Sequence, residues 1–580
     1  MGAALALWLA PDPARACGGL FCNQPPTTTS TPRPVIAQAA ENVVFVLGKN
    51  ANGTGTVEAH VQIVYTGAAA QFSWIVPMSA LPSLDVGNDI LFQILDARTR
   101  PTFNVTYATD GTCKGFGGRS TSVGCGGAFN GATGSGEKGS GTSVDTRPSV
   151  DVAFHGNVGP YESSIVRSDD PVALEAWLTS HNYYVSPEAS QIIQDYVATG
   201  SYFVALRLQM DRDVNEIRPI VLRLAAEEGC LPLKLTAIAS ENDLRINIWV
   251  LGDGRAVPLN YREMTLNLAK LDWFSGGANY DRIVSTAANE TGGNAFLTEY
   301  AQPASSALPW FTVPTGAAAQ LTASTTPAAF WNVVVQQIGL PLSGEVLQVL
   351  RQFVPEPQSL VTTGVTETQF YATLPQFWAQ SSSSFAPFDA AAAAAAMDKN
   401  VLRPMTAMRP LFEGSNTLTR VATFISPEEM TKDPLFVPNP TLPMLSNVHA
   451  ATARIQCGDE DHNACDAPVR LDITDTGRSV WFSPPSGSCN VVFPPPYLRA
   501  DLDADAMPAA ERGFRRDVDG EGTVEVDNTA QIAAVIGHHN DAATSGGGCA
   551  IAGRLARRPW LIVALFVAAA AWRRRRVRAR

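Results

Sequence analysis

Apolar and polar residues alternate from Val57 to Tyr65. Val57, Ala59, Val61, Ile63 and Tyr65 share one parity, with Glu58, His60 and Gln62 between them. A period of two marks a half-buried strand. The stretch from Thr56 to Met78 therefore reads as two strands and a turn. Helical spacing replaces alternation in "DILFQILDA" (89–97), with Asn88 placed to cap it. "RPTFNVTYA" then resumes as a strand. Residues 111–147 are Gly/Ser-rich and hold too little apolar surface to form a core. They read as a flexible surface insertion pinned by Cys113 and Cys125; the spacing of a phosphate-binding loop is absent.

Strand signals return in "PSVDVAFHGNVGPYESSIVRS". Two helices follow, "DDPVALEAWLTSH" and "SPEASQIIQDYVATG", each with a capping residue and a proline in its first turn. "SYFVALRLQM", "IRPIVLRLAAE", "LPLKLTAIAS" and "DLRINIWVLG" predict a run of strands over 201–260. From about 325 to 400 the pattern turns helical, in "GEVLQVLRQFV" and the alanine-rich "FDAAAAAAAMDKNVL". The fold class implied is α+β: a mostly antiparallel sheet with packed helices, a more helical middle region, an extended stalk and a C-terminal transmembrane segment. The expected divisions are a signal peptide (1–16), an α+β domain (17–300), a helical and mixed region (301–490), an acidic, Pro- then Gly-rich stalk (491–548) and a sorting tail (549–580).

The two chain ends change the picture from fold to address. "MGAALALWLAPDPARA" has an apolar run and then Ala14-Arg15-Ala16, the small-residue pattern before a signal cleavage point. Ordinary cleavage after Ala16 leaves Cys17 first; a lipoprotein signal is the rival reading of the same cysteine. At the other end, Gly546-Gly547-Gly548-Cys549 precedes an apolar segment, Pro559–Trp572, and then Arg573–Arg576. That segment is about 21 Å long at ~1.5 Å per residue, short of a ~30 Å hydrocarbon core. The arginines and the bordering Trp560 and Trp572 still fit a span with a cytoplasmic arginine end. A short span suits temporary retention.

Net charge is −12, yet nine arginines and no acid follow Cys549, so the body is strongly acidic. An acidic surface argues against a nucleic-acid partner. Cysteine use also points to export. Cys17, Cys22, Cys113, Cys125, Cys230, Cys457, Cys465 and Cys489 are disulfide candidates, and Cys549 stands apart. Local pairs are the simplest: Cys17 with Cys22, Cys113 with Cys125, and two among the later four. Connectivity stays open.

Several stretches are similar to a known family. They are "ACGGLFC", "GPYESSIVRSDDPVALEAWLTSHNYYV" (159–185), "YFVALRL", "PIVLRL", "LPLKLTAIAS", "INIWVLG" and "LTRVATFISPEEMTKDPLFVPNPTLPMLSNVHA" (418–450). Together they resemble the exported bacterial proteins of domain-of-unknown-function family 2330, from Cys17 to about Ala451. That family has no assigned activity, so the resemblance carries over no catalytic residue. Separately, the tail resembles the MYXO-CTERM sorting signal of myxobacterial surface proteins. The resemblance implies a sorting protease, processing near Gly548 and Cys549, and surface attachment through Cys549.

Catalytic signatures are not found in the sequence. His60 reads as a packed or surface strand residue. Glu428-Glu429 reads as a helix start behind Ser426 and Pro427 rather than an acid–base pair. Asp517, Asp519 and Glu521 stand at calcium-loop offsets, but Asn528 replaces the bidentate glutamate. Calcium is thus the one candidate cofactor. The expectation is an exported cell-envelope protein with a binding or structural role and an unknown extracellular ligand. The alternative is an exported enzyme acting on an extracellular or cell-wall polymer.

Overall fold

The computed structural model describes residues 37–66, 73–111, 150–183, 185–209, 217–238, 240–362, 364–458, 467–482 and 507–545. The signal region, residues 112–149 with all but the first residue of the Gly/Ser insertion, and the tail from 546 lie outside these residues, as do Cys17, Cys22, Cys113, Cys125, Cys465, Cys489 and Cys549.

In chain order the strands are β1 (Ala37–Lys49), β2 (Gly55–Thr66), β3 (Ser73–Met78), β4 (Ser83–Val86), β5 (Thr102–Gly111), β6 (Asp151–Val158), β7 (Tyr161–Arg167), β8 (Tyr202–Leu208), β9 (Ile220–Ala225), β10 (Gly229–Cys230) and β11 (Ser240–Gly252). They continue as β12 (Arg255–Pro258), β13 (Arg262–Leu266), β14 (Ala295–Pro303), β15 (Thr417–Ile425), β16 (Leu435–Asn439), β17 (Val448–Gly458), β18 (Val469–Ile473), β19 (Arg478–Phe482), β20 (Ala510–Arg515) and β21 (Thr523–Asp527). Ten of them form the central sheet, in the order β21-β20-β13-β14-β15-β11-β1-β2-β9-β4. Two four-stranded sheets, β3-β8-β7-β6 and β19-β18-β17-β5, and a small β10-β16-β12 sheet complete the strands. Pairing is parallel at β1/β11, β13/β14 and β5/β17, and antiparallel at the other described ladders.

The central sheet is covered on both faces, so its middle strands bury both parities. Val43 and Phe45 of β1, with Leu244, Ile246, Ile248 and Val250 of β11, pack toward β3-β8-β7-β6. Helices α1 (Asp89–Thr99), α2 (Pro171–Ser180) and α3 (Pro187–Ala198) take the boundaries their caps predict: Asn88, Asp170 and Ser186 each accept a first-turn N–H. Helices α2 and α3 close that first core. On the opposite face Val44, Trp249, Leu251 and Leu418 meet α1 and a helical layer drawn mainly from residues 304–412, α7 (Ala390–Met397) among them. Further along the same face Met264, Leu266 and Leu297 meet the β19-β18-β17-β5 sheet and α5 (Tyr280–Glu290).

Three expectations need correction. First, β2 and β3 are both strands but not a hairpin: β2 pairs with β1 and β9 in the central sheet, whereas β3 pairs with β8 in another. Alternation specifies a buried face, not which sheet supplies it. Second, "LPLKLTAIAS" contains a short helix, α4 (Leu233–Thr236), where a strand was expected. The Asp433 carboxylate, 199 residues away, accepts the Lys234 N–H at 3.0 Å and supplies the cap that Pro232 lacks.

Third, the expected stalk is folded over residues 507–545. Strands β20 and β21 extend the central sheet, and Met507, Ala509 and Ala510 are buried. The Glu290 carboxylate accepts the N–H groups of both Ala509 and Ala510. The buried apolar residues here, Met507, Ala509, Ala510, Ile532 and Ile536, are few and scattered along the segment, so its overall composition does not reveal them. Among the described residues no helix is long and apolar enough to cross a membrane. The expected transmembrane segment lies in the tail, outside them.

Candidate functional site: a charged seam on the central sheet

The helical layer and the β19-β18-β17-β5 sheet cover neighbouring parts of one face of the central sheet. Between them runs a line of polar side chains, one or two from each successive strand. Glu299 of β14 and Arg420 of β15 sit at its centre, both wholly buried, with Arg420 Nε 2.5 Å from Glu299 Oε2. Tyr280 of α5 donates its hydroxyl to Glu299 Oε1 at 2.7 Å. Arg245 of β11 lies 3.8 Å from the same carboxylate and reaches out to Asp281 at the surface.

Arg420 also faces α1. Its Nη2 is 2.9 Å from Asp96 Oδ1, and its guanidinium lies over the Trp249 ring, 5.0 Å from the centroid. Trp249 in turn donates to Thr99 Oγ1. From Arg420 the line continues as amides: to Asn247 Oδ1 at 3.2 Å, from Asn247 to Asn42 at 2.9 Å, from Asn42 to Gln62 at 2.8 Å, and from Gln62 to Asp89 at 2.6 Å. Arg218 closes it, bridging Asp89 (3.0 Å) and Glu345 (3.3 Å), the latter on α6 (Gly344–Phe353) of the helical layer.

The register makes this line. Asn42 pairs with Gln62 on one side and Asn247 on the other; Trp249 pairs with Arg420. Cross-strand neighbours lie close enough for side-chain amides to meet. An ion pair out of water must be well hydrogen-bonded to offset its desolvation. Tyr280 donates to Glu299 Oε1, and Arg420 donates to Asn247 and Thr99, but Glu299 Oε2 and Arg420 Nε face each other by charge without a well-aligned hydrogen bond. Burial opposes the charge on Asp96, but the guanidiniums of Arg420, Arg100 and Arg245 hold its carboxyl below the usual range. Glu345 moves upward instead, through burial and then the neighbouring Asp89. Burial, followed by Glu299, also drives the Tyr280 hydroxyl well above its ordinary value. The arrangement immobilises charge and ties three layers together.

A second buried cluster lies toward β20. Glu263 of β13 takes guanidinium groups from both Arg255 and Arg516, and Arg516 also donates to the Glu521 carbonyl. Asn439, fully buried, donates to the carbonyls of Asp517 and Gly520. The turn 517–522 is thereby held by its backbone. Asp517, Asp519 and Glu521 are exposed around it, and among the described residues no group of three or more His, Cys, Asp or Glu gathers as a metal site. Asp517, Asp519 and Glu521 stand in the connection between β20 and β21.

The remaining sequence candidates are dispersed. His60 is buried on β2, with Nε2 2.8 Å from Glu58 Oε1. That hydrogen bond, with help from Arg223, lowers the Glu58 carboxyl to about 2 against burial. Glu429 accepts the Ser426 N–H at 2.8 Å, as a capping residue does. Cys457 is buried and disulfide-bonded. Cys230 is instead a free thiol, a correction to its place among the disulfide candidates. It lies on β10 of the small sheet, whereas Cys457 lies on β17 of another. Although Cys230 reaches the surface, burial of its thiol and the nearby Asp433 and Glu228 push it up to about 12. The seam itself was missed in the sequence. Its signal was there: one arginine in "LTRVATFI" and one glutamate in "AFLTEYAQP", each isolated in an apolar strand.

No curated protein and no solved structure matches this chain. A family model does match, and its span can be set against the fold: it begins before β2 and ends after β14, yet β15, which lies between β14 and β11 in the sheet and carries Arg420, comes later in the chain. Over residues 54–312 the chain matches the family described as uncharacterized protein conserved in bacteria (DUF2330).

Proposed function

We propose that this is an exported protein, tethered at the cell envelope, with a binding or structural role there. The observation that carries the reading is the disulfide at Cys457, a residue wholly buried in the core beside β18 and β20. Disulfides form and persist in oxidising compartments. The leader-like Met1–Ala16 and the Gly548-Cys549, apolar and arginine sequence of the tail support the same address. The seam supports a non-catalytic role, because its carboxylates are engaged by Arg420, Arg245 and Arg218 rather than held ready for proton transfer.

Fractionation with mass spectrometry of both native termini tests this. The expected result is envelope-associated protein beginning at Cys17 and ending near Cys549. An intact Met1-to-Arg580 chain in the cytosol, with Cys457 reduced, would overturn the proposal.

A further inference from the structure

The outermost strand of the β19-β18-β17-β5 sheet is β19, bonded on one side to β18. Its other side is met by a helix, α8 (Thr529–Ser545). Ile532 and Ile536 of α8 are buried in the core under the sheet. One turn further on, the helix presents His539 and Asn540 to the strand backbone. Asn540 Oδ1 accepts the Trp481 N–H at 3.0 Å, and Asn540 Nδ2 donates to the Ser479 carbonyl at 2.9 Å. His539 Nε2 lies 2.6 Å from the Trp481 carbonyl, and His539 is buried.

A side-chain amide has the same donor and acceptor as a peptide group. Asn540 thus offers Ser479 and Trp481 what the residues of a neighbouring strand would offer. An edge strand with unpaired N–H and C=O groups is a template for adding another chain, and folds commonly cover such edges with a helix. We propose that β19 is a latent strand-pairing surface for a second copy of this chain, held closed by α8 through Asn540 and His539. Antiparallel pairing of two β19 strands about Val480 sets Ser479 of each against Trp481 of the other. The groups now held by Asn540 and His539 are those which that pairing uses. It also keeps the two Arg478 side chains apart, each opposite Phe482, so no like charges meet. A twofold pair of this kind is self-complementary.

The test uses the full chain. Asn540→Ala is expected to speed exchange of the Trp481 amide on the order of tenfold, the effect of losing one hydrogen bond worth ~1.4 kcal/mol. It is also expected to shift sedimentation from monomer toward dimer. Adding Trp481→Pro, which removes the outward N–H and is tolerated on an edge strand, is expected to restore the monomer. A monomeric Asn540→Ala protein with Trp481 still protected overturns the proposal, as does a dimer that survives Trp481→Pro. Should the variants unfold, denaturant-dependent hydrogen exchange of the unaltered protein decides. The Trp481 amide must then open together with the amides of α8; opening only with those of β18 overturns the guard.

Discussion

Arg420 and Glu299 form an ion pair in which neither side chain is exposed, and the two residues stand on neighbouring strands from distant parts of the chain. Removing one partner leaves an uncompensated buried charge, which costs about 3–5 kcal/mol. Arg420→Met is therefore expected to lower stability by that amount in urea titration. Arg420→Met combined with Glu299→Leu is expected to cost less than the sum of the two single changes, because the second removes the orphaned charge. Additive losses would show that the two residues act independently.

Glu58 sets a pH dependence whose sign follows from its depressed carboxyl. A folded value of about 2, against an ordinary 4.5, means its contribution is fully present above about 4.5 and is lost as pH falls toward 2. Urea midpoints of the parent protein and Glu58→Gln are expected to converge over that window and to differ most above it. A constant difference from pH 6 to pH 2 would rule out Glu58 as the source.

Cys230 is expected to be a slow thiol. With its titration pushed up to about 12, alkylation of the native protein at pH 8 is expected to lag far behind that of a free thiol near 8.5. The rate is expected to climb with pH. Mass spectrometry after a timed iodoacetamide pulse measures it; rapid labelling at pH 8 would contradict the assignment.

Asn439 fastens the turn 517–522 through two carbonyls and itself is fully buried. Asn439→Ala leaves those acceptors short of a donor and is expected to cost about 1–3 kcal/mol, with raised exchange at Gly520. Calcium is expected to leave the melting temperature of the parent protein unchanged and to give no heat in calorimetry. A calcium-dependent rise would restore Asp517, Asp519 and Glu521 as ligands.

Local physics made much of this fold readable. The caps at Asn88, Asp170 and Ser186 and the alternation in β11 needed only neighbouring residues to be recognised, because a first-turn N–H or a period of two is satisfied within a few positions. The cap on α4 was not readable, since its carboxylate comes from Asp433. Likewise the hold of Asn439 on the carbonyls of Asp517 and Gly520 joins residues about 80 positions apart and has no local signal.

The amino-acid order by itself determined many of the strands and helices, the acidic body and the address-like ends, since periodicity, capping and charge are properties of contiguous residues. Tertiary structure alone decided that 507–545 completes the central sheet and that Asn540 covers β19. It also decided that Asn42, Gln62, Asn247, Arg420 and Glu299 form one line. Those facts depend on strand order and register, which bring residues hundreds of positions apart to within hydrogen-bonding distance, and no local pattern encodes that proximity.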